Sequence, residues 1–176
     1  MNEYKLGFRG MPPISTYLLI DGSNVLHAWA ETRALVRRNR EAAKALLLRK
    51  VAVLNEHNGW RITVVFDGGG DDLRIESVGH EAGFACVHSP AGVTADEIIE
   101  RLVGQSATPA ACLVVTADMA ERSTIESLGA TWCGPEELAK RIDSADTRQL
   151  RLLARGNDAA RRAWRAAEKA DLGSHP

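Results

Sequence analysis

Four aspartates in this 176-residue chain sit where chemistry could be done. Asp21 follows the apolar run Tyr17 to Ile20, and Asp67 follows Arg61 to Phe66. Asp118 lies just past the run Cys112 to Val115, and Asp96 stands in the opening turn of an apolar, helix-patterned stretch. Aspartate is a frequent loop and N-cap residue, so each alone has an ordinary explanation; Asp96 alone could simply complement a helix dipole. Together they describe an acidic cup. Two carboxylates ~4 Å apart repel by ~1 kcal/mol in water and ~4 kcal/mol at an effective dielectric of ~20. Such a group must be partly protonated, paired with Arg or Lys, or filled by a cation. No Lys or Arg directly flanks Asp21, Asp67 or Asp118. Hard divalent ions prefer carboxylate oxygens, which points to Mg²⁺ or Mn²⁺. A cup of that kind lowers the pKa of bound water and holds a phosphodiester for in-line attack, with one carboxylate available as general base. Asn24, three residues after Asp21, offers an amide to orient a carboxylate or phosphate.

These residues can meet only if the surrounding elements bring them together. The runs Tyr17–Ile20, Arg61–Phe66, Phe84–Val87, Cys112–Val115 and Ala130–Cys133 read as strands, apolar throughout. Helical stripes alternate with them. One runs over residues 41–58 and stops at Gly59. Another opens at Thr94, with Glu97 three residues on in a capping-box pattern. A third covers 119–128, and a fourth starts at Pro135. A final helix is expected over about 147–170, with Gly156 as its weak point. The Gly68–Asp72 stretch reads as a loop too flexible for regular structure and as a candidate mobile wall beside the site. Strands alternating with helices imply βαβ units. The expected fold is a three-layer α/β domain of about five parallel strands plus a C-terminal helix. Ligands in such sheets bind beyond the carboxyl ends of the strands, where all four aspartates fall. Residues 1–16 read as a flexible leader, with Met11 an alternative start; 17–145 as the domain; 146–176 as a basic helix and tail.

Composition narrows the classes. The chain is 45% hydrophobic and 26% charged, ordinary for a globular protein. No apolar run approaches the ~20 residues of a membrane span. Net charge is -1, so any anion site must come from local placement. The three cysteines are far apart, form no CxxC pair, and read as buried free thiols in a reducing cytoplasm. The five histidines show no HxxxH or HExxH pairing, and Gly68–Gly70 is not a P-loop because no GK[ST] follows. A haloacid-type phosphatase would want an aspartate where Ser23 stands. A receiver domain would want a lysine in Trp132–Pro135, and there is none.

Tyr17 to Asn24 (YLLIDGSN), Val64 to Asp67 (VVFD), Thr94 to Ile98 (TADEI) and Val114 to Asp118 (VVTAD) resemble the motifs of NYN domains, the bacterial YacP-like subgroup within the PIN-like nucleases. The likeness spans about residues 17–142, in order and with fitting spacing. It implies a PIN-like, Rossmann-like fold and a metal-dependent endoribonuclease using Mg²⁺ or Mn²⁺. It assigns acidic roles to Asp21, Asp67, Asp96 and Asp118, with Asn24 as polar helper. The sequence departs from the pattern at Ser23, where the family often has an aromatic residue, and at Val93, where it often has an acid; the second leaves metal number open. The alternative is a non-catalytic RNA-binding or adaptor module of the same fold.

Basic residues supply the other candidates. Arg148, Arg151, Arg155, Arg161, Arg162, Arg165 and Lys169 face only Asp158 and Glu168 across the tail. Arg161, Arg162 and Arg165, with Arg37 and Arg38 in the Arg37–Arg40 run, are candidate contacts to an RNA backbone. Trp164 could stack on a base, but the amphipathic pattern favours Leu150, Leu153 and Trp164 docking on the sheet, with the basic face in water. The expected partner is RNA, ribosome-associated mRNA among the candidates, with no membrane and with oligomeric state left open.

Overall fold

The computed structural model describes residues 16–79 and 82–172, with side chains throughout except at 157, 163 and 165–172. The expected leader therefore lies outside the described residues except for Thr16, as does the side chain of Arg165.

The chain begins with strand β1 (Tyr17–Asp21) and two short helices, α1 (Gly22–Ala28) and α2 (Ala30–Val36). The long helix α3 (Arg40–Asn58) follows, then β2 (Arg61–Gly70), β3 (Arg74–Ser77) and β4 (Phe84–Pro90). Helix α4 (Ala95–Gly104) leads to β5 (Cys112–Val115), α5 (Met119–Ser127), β6 (Thr131–Cys133) and α6 (Pro135–Leu172). The six strands form one sheet in the order β3-β4-β2-β1-β5-β6, all parallel except the edge strand β3, which runs antiparallel to β4.

Alternation along the strands builds two cores, one per face. Leu18, Ile20, Val64, Phe66 and Val115 point to one side, against Val25 and Leu26 of α1, Leu47 and Val51 of α3, and Leu138 and Ile142 of α6. Leu19, Val65 and Val114 point to the other, against Ile98, Ile99 and Val103 of α4 and Ile125 of α5. Both faces are covered, which is why these strands lack polar alternation. Burying each such Leu, Ile or Phe contributes about 1.5–3 kcal/mol to folding. Cys86, Cys112 and Cys133 are buried free thiols, as their apolar settings led one to expect.

Several sequence expectations need correction. The glycine stretch is not a loop throughout: β2 continues to Gly70, and the ladder to β4 resumes at Gly70 and Pro90 after a register shift beyond Phe66. Gly68 is packed so closely that a Cβ there would lie 2.1 Å from the Ser89 carbonyl oxygen, so pairing neighbours hold it in place. β3, α1 and α2 had no counterpart in the sequence reading. The two expected C-terminal helices are one continuous helix, and the boundary expected at 145 and 146 falls inside it. Leu150, Leu153 and Trp164 do not dock on the sheet; they are 67%, 55% and 73% exposed.

Candidate metal centre

The order β4-β2-β1-β5 makes the four strands that feed the site direct neighbours. The chain leaves β1 toward β2 and later returns to pair β5 on the other flank of β1. That reversal opens a crevice at the strand ends, the usual binding place in such sheets.

Asp21 ends β1 and is 3% exposed. It also caps α1, with one carboxylate oxygen accepting from the Asn24 backbone at 3.0 Å and the other from the Asn24 side-chain amide. Asn24 thus orients the Asp21 carboxylate. Gly22 makes the turn possible, since a Cβ there would stand 2.3 Å from the Phe66 ring. Asp67 is held at both oxygens: Ser23 Oγ donates at 2.8 Å and the Ala95 backbone amide at 2.9 Å. The second bond ties Asp67 to the start of α4, where Thr94 caps by accepting from Glu97 N at 3.2 Å. Asp96 is thereby fixed one residue inside the helix. Asp118 caps α5 and accepts from Ala120 N at 2.6 Å and Glu121 N at 3.3 Å.

Three carboxylates converge. Asp21, Asp96 and Glu121 each offer an oxygen within 4.8 Å of the other two. Asp67 and Asp118 lie outside that trio, close enough for their charges to act on Asp96. Glu121 was absent from the sequence reading. It follows Asp118 by three residues, the spacing of a cap and its third helical residue, a pattern that by itself signals only a helix start. What distinguishes it is burial: Glu121 is 3% exposed, and neither carboxylate oxygen has a hydrogen-bond partner. The nearby Thr116 hydroxyl favours the charged form and opposes the shift that burial imposes, though it lies outside hydrogen-bond geometry.

Burial, aided by the charges of Asp96, Asp21 and Asp118, pushes the Glu121 carboxyl up to about 8. Asp96 is pushed up to about 6, first by burial, then by the charge of Asp21 and a proton shared with it, then by Asp118 and Asp67. At ~4.8 Å, each pair repels by about 3–4 kcal/mol at an effective dielectric of ~20. The trio cannot all ionise unaided. A divalent cation among them would add an attraction that offsets these repulsions, and an all-oxygen set fits a hard ion. The unpaired oxygens of Glu121 are what such an ion would satisfy.

The basic candidates are placed elsewhere. Arg37 and Arg38 are exposed between α2 and α3, and Arg161 and Arg162 are exposed on α6. Among the described residues, none of their side chains makes an ion pair or hydrogen bond. A different arginine supports the centre. Arg122 donates to the carbonyls of Thr116 at 3.4 Å and Ala117 at 3.3 Å, while its guanidinium lies 4.1 Å from the Trp132 ring centroid. It pins the turn that delivers Asp118.

Known proteins share this fold and its sequence pattern. The profile of the YacP-like NYN domain matches residues 18–171. The Bacillus subtilis (strain 168) protein YacP, itself described as uncharacterized, is 29% identical over 133 residues, 74% of this chain and 77% of the relative. Two crystal structures of Rae1 (YacP) from Bacillus subtilis superpose with a TM-score of 0.67 each. The wild-type structure is 25% identical and covers 90% of this chain and 91% of its own. A point mutant is 26% identical, covering 81% and 84%.

Proposed function

The chain belongs to the YacP-like NYN domain family, and we propose from that premise that it is a metal-dependent endoribonuclease. The observation that carries this reading is the convergence of Asp21, Asp96 and Glu121 within 4.8 Å, on a nuclease-like fold. These three residues would hold Mg²⁺ or Mn²⁺, directly or through water. When bound, such an ion supplies a Lewis acid for a phosphodiester and acidifies a coordinated water.

The protein's own residues prepare that chemistry. Asn24 fixes the Asp21 carboxylate. Asp67, clamped by Ser23 and the Ala95 amide, sets the start of α4 and hence Asp96. Asp118, by capping α5, sets Glu121. Asp96 is the least buried of the trio and exchanges protons with solvent most readily. Asp67 and Asp118 complete the negative rim, and their charges act on Asp96.

Arg37, Arg38, Arg161, Arg162 and Arg165 contact RNA phosphates. Their contribution is electrostatic and independent of sequence. The substrate is single-stranded or loop RNA of the cytoplasm, with ribosome-associated mRNA one class to test. No helix among the described residues is long and apolar enough to cross a membrane.

The test is incubation of purified protein with mixed RNA in Mn²⁺, in Mg²⁺ and in chelator, beside the Asp21→Asn variant. Cleavage that needs the ion and vanishes in the variant supports the proposal. RNA binding without cleavage under all conditions leaves an adaptor module instead.

A further inference from the structure

A second cleft adjoins the acidic cup and shares Asp67 with it. Its volume is about 360 Å³. Its back is the main chain of Gly68 to Gly70, and its sides come from α3, β3 and β4. A Cβ at Gly69 or Gly70 would meet nothing within 4 Å, so a flat ring can approach this stretch of backbone.

Two ion pairs line the cleft. Lys44 meets Glu41 at 2.9 Å, and Arg74 meets Glu76 at 2.7 Å. Lys44 is held further by the Phe66 ring, 5.2 Å beneath its ammonium. His88 stacks on that same ring, with centroids 5.7 Å apart and planes 23° from parallel. Burial, with the charges of Lys44 and Arg74, lowers the His88 pKa, which leaves a neutral imidazole at physiological pH.

The lining decides between ligand classes. A phosphate would face the carboxylates of Glu41, Glu76, Asp67 and Asp72 against two cations, and is repelled. A metal ion needs converging ligands, and among the described residues only the Asp21, Asp96 and Glu121 group converges. A carboxylate beside a cation presents an acceptor next to a donor. That arrangement matches the edge of a nucleobase bearing an amino group. Guanine suits it best, since its N–H groups can donate to Glu41 or Glu76 while O6 and N7 accept from Lys44 or Arg74. Uracil has no amino group to offer.

We propose that this cleft seats one nucleobase flanking the cleaved bond and selects an amino-bearing base, guanine above the others. The proposal rests on reading the acidic cup as an RNA-cleaving site, and it adds base selection through Glu41, Lys44, Arg74 and Glu76.

The experiment has two arms. In the first, wild-type protein, Glu41→Gln and Glu76→Gln cut a sequence-randomised RNA pool in Mn²⁺, and the ends are sequenced. Guanine should be enriched at one position beside the cut. The enrichment should fall roughly fivefold or more in at least one variant, the low end of what one paired base contact is worth. Glu41 and Glu76 have side chains 79% and 53% exposed, so both variants should fold, as thermal unfolding will verify. In the second arm, ¹⁵N-labelled protein is titrated with 5′-GMP and 5′-UMP, reading the amides of Gly68 to Gly70. Shifts with GMP and not UMP support the cleft even if no RNA is cut, in which case the nuclease reading alone fails. An active enzyme with no base preference at any position, or one whose preference both variants retain, overturns the proposal. So does an inactive protein whose glycine amides ignore GMP.

Discussion

Replacing Glu121 with glutamine should make the protein more stable at alkaline pH, although it removes a residue from the centre. Glu121 ionises near 4.5 in the unfolded chain and near 8 in the folded one. Below pH 4.5 the carboxyl is neutral in both states and the group is without effect. Between pH 4.5 and 8 the unfolded chain releases a proton that the folded protein keeps, so stability falls as pH rises. Above pH 8 the full penalty is in place. The gap between 4.5 and about 8 is worth at most about 5 kcal/mol at about 1.4 kcal/mol per pH unit. The cup opens to solvent, and screening trims this to about 1–3 kcal/mol. For a chain of this size, about 2 kcal/mol corresponds to a rise in Tm of roughly 4–8 °C.

The assay is thermal or urea unfolding of wild type and Glu121→Gln in chelator, at pH 4.5 and pH 8.5. The variant should gain at pH 8.5 and show little change at pH 4.5. Mn²⁺ at about 100 times its Kd should then stabilise the wild type at pH 8.5 by about 2.7 kcal/mol, and the variant by clearly less. A difference between the two proteins that is the same at both pH values would refute the reasoning. It would mean that Glu121 is not a frustrated carboxylate in the folded protein.

Further expectations follow from the same geometry. Because Asp96 and Glu121 hold protons up to about 6 and about 8, ion binding must displace them. Mn²⁺ affinity should therefore tighten from pH 6 to 8.5, and calorimetry in buffers of differing ionisation enthalpy should register proton release; a flat pH profile contradicts this. Gly22→Ala, which forces a Cβ to 2.3 Å from the Phe66 ring, should cost about 1–3 kcal/mol in urea unfolding and lower cleavage by displacing Asp21. Arg122→Ala should reduce kcat through a looser Thr116–Asp118 turn, with a smaller effect on KM; equal loss in both would mean that Arg122 binds substrate instead. Charge reversal at Arg161 and Arg162 should weaken RNA binding and flatten its dependence on salt concentration, and an unchanged slope removes these arginines from the interface.

The parts of this fold legible in the sequence are those where local and tertiary preferences agree. Tyr17–Asp21 and Cys112–Val115 are buried on both faces, so a plain apolar run identified them. Thr94 announced α4 because capping is local chemistry. The parts that escaped are those set by neighbours. Gly68 to Gly70 have poor strand propensity, yet β4 pairs with the end of β2 and the Ser89 hydroxyl accepts from the Gly68 amide at 3.1 Å. Every residue of β3 is exposed, so no burial pattern marks it. Helices α1 and α2 are seven residues each, too short to show a stripe. Helix α6 runs through Gly156 because about 1 kcal/mol of glycine cost is small beside the Ala, Leu and Arg around it. In the centre, the aspartates stood out because each follows a strand or opens a helix, whereas Glu121 carries no local mark. Only the packing of α5 against the strand ends shows that it is buried among other acids.

The account stands on a divalent cation held by residues from β1, α4 and α5, and a crystal soaked in Mn²⁺ tests that most directly. Anomalous scattering should place a peak within about 2–2.5 Å of oxygens from Asp21, Asp96 and Glu121, and the Asp21→Asn crystal should lose it. Full soaking with no peak among these three carboxylates, in a protein that still cuts RNA, would contradict the account.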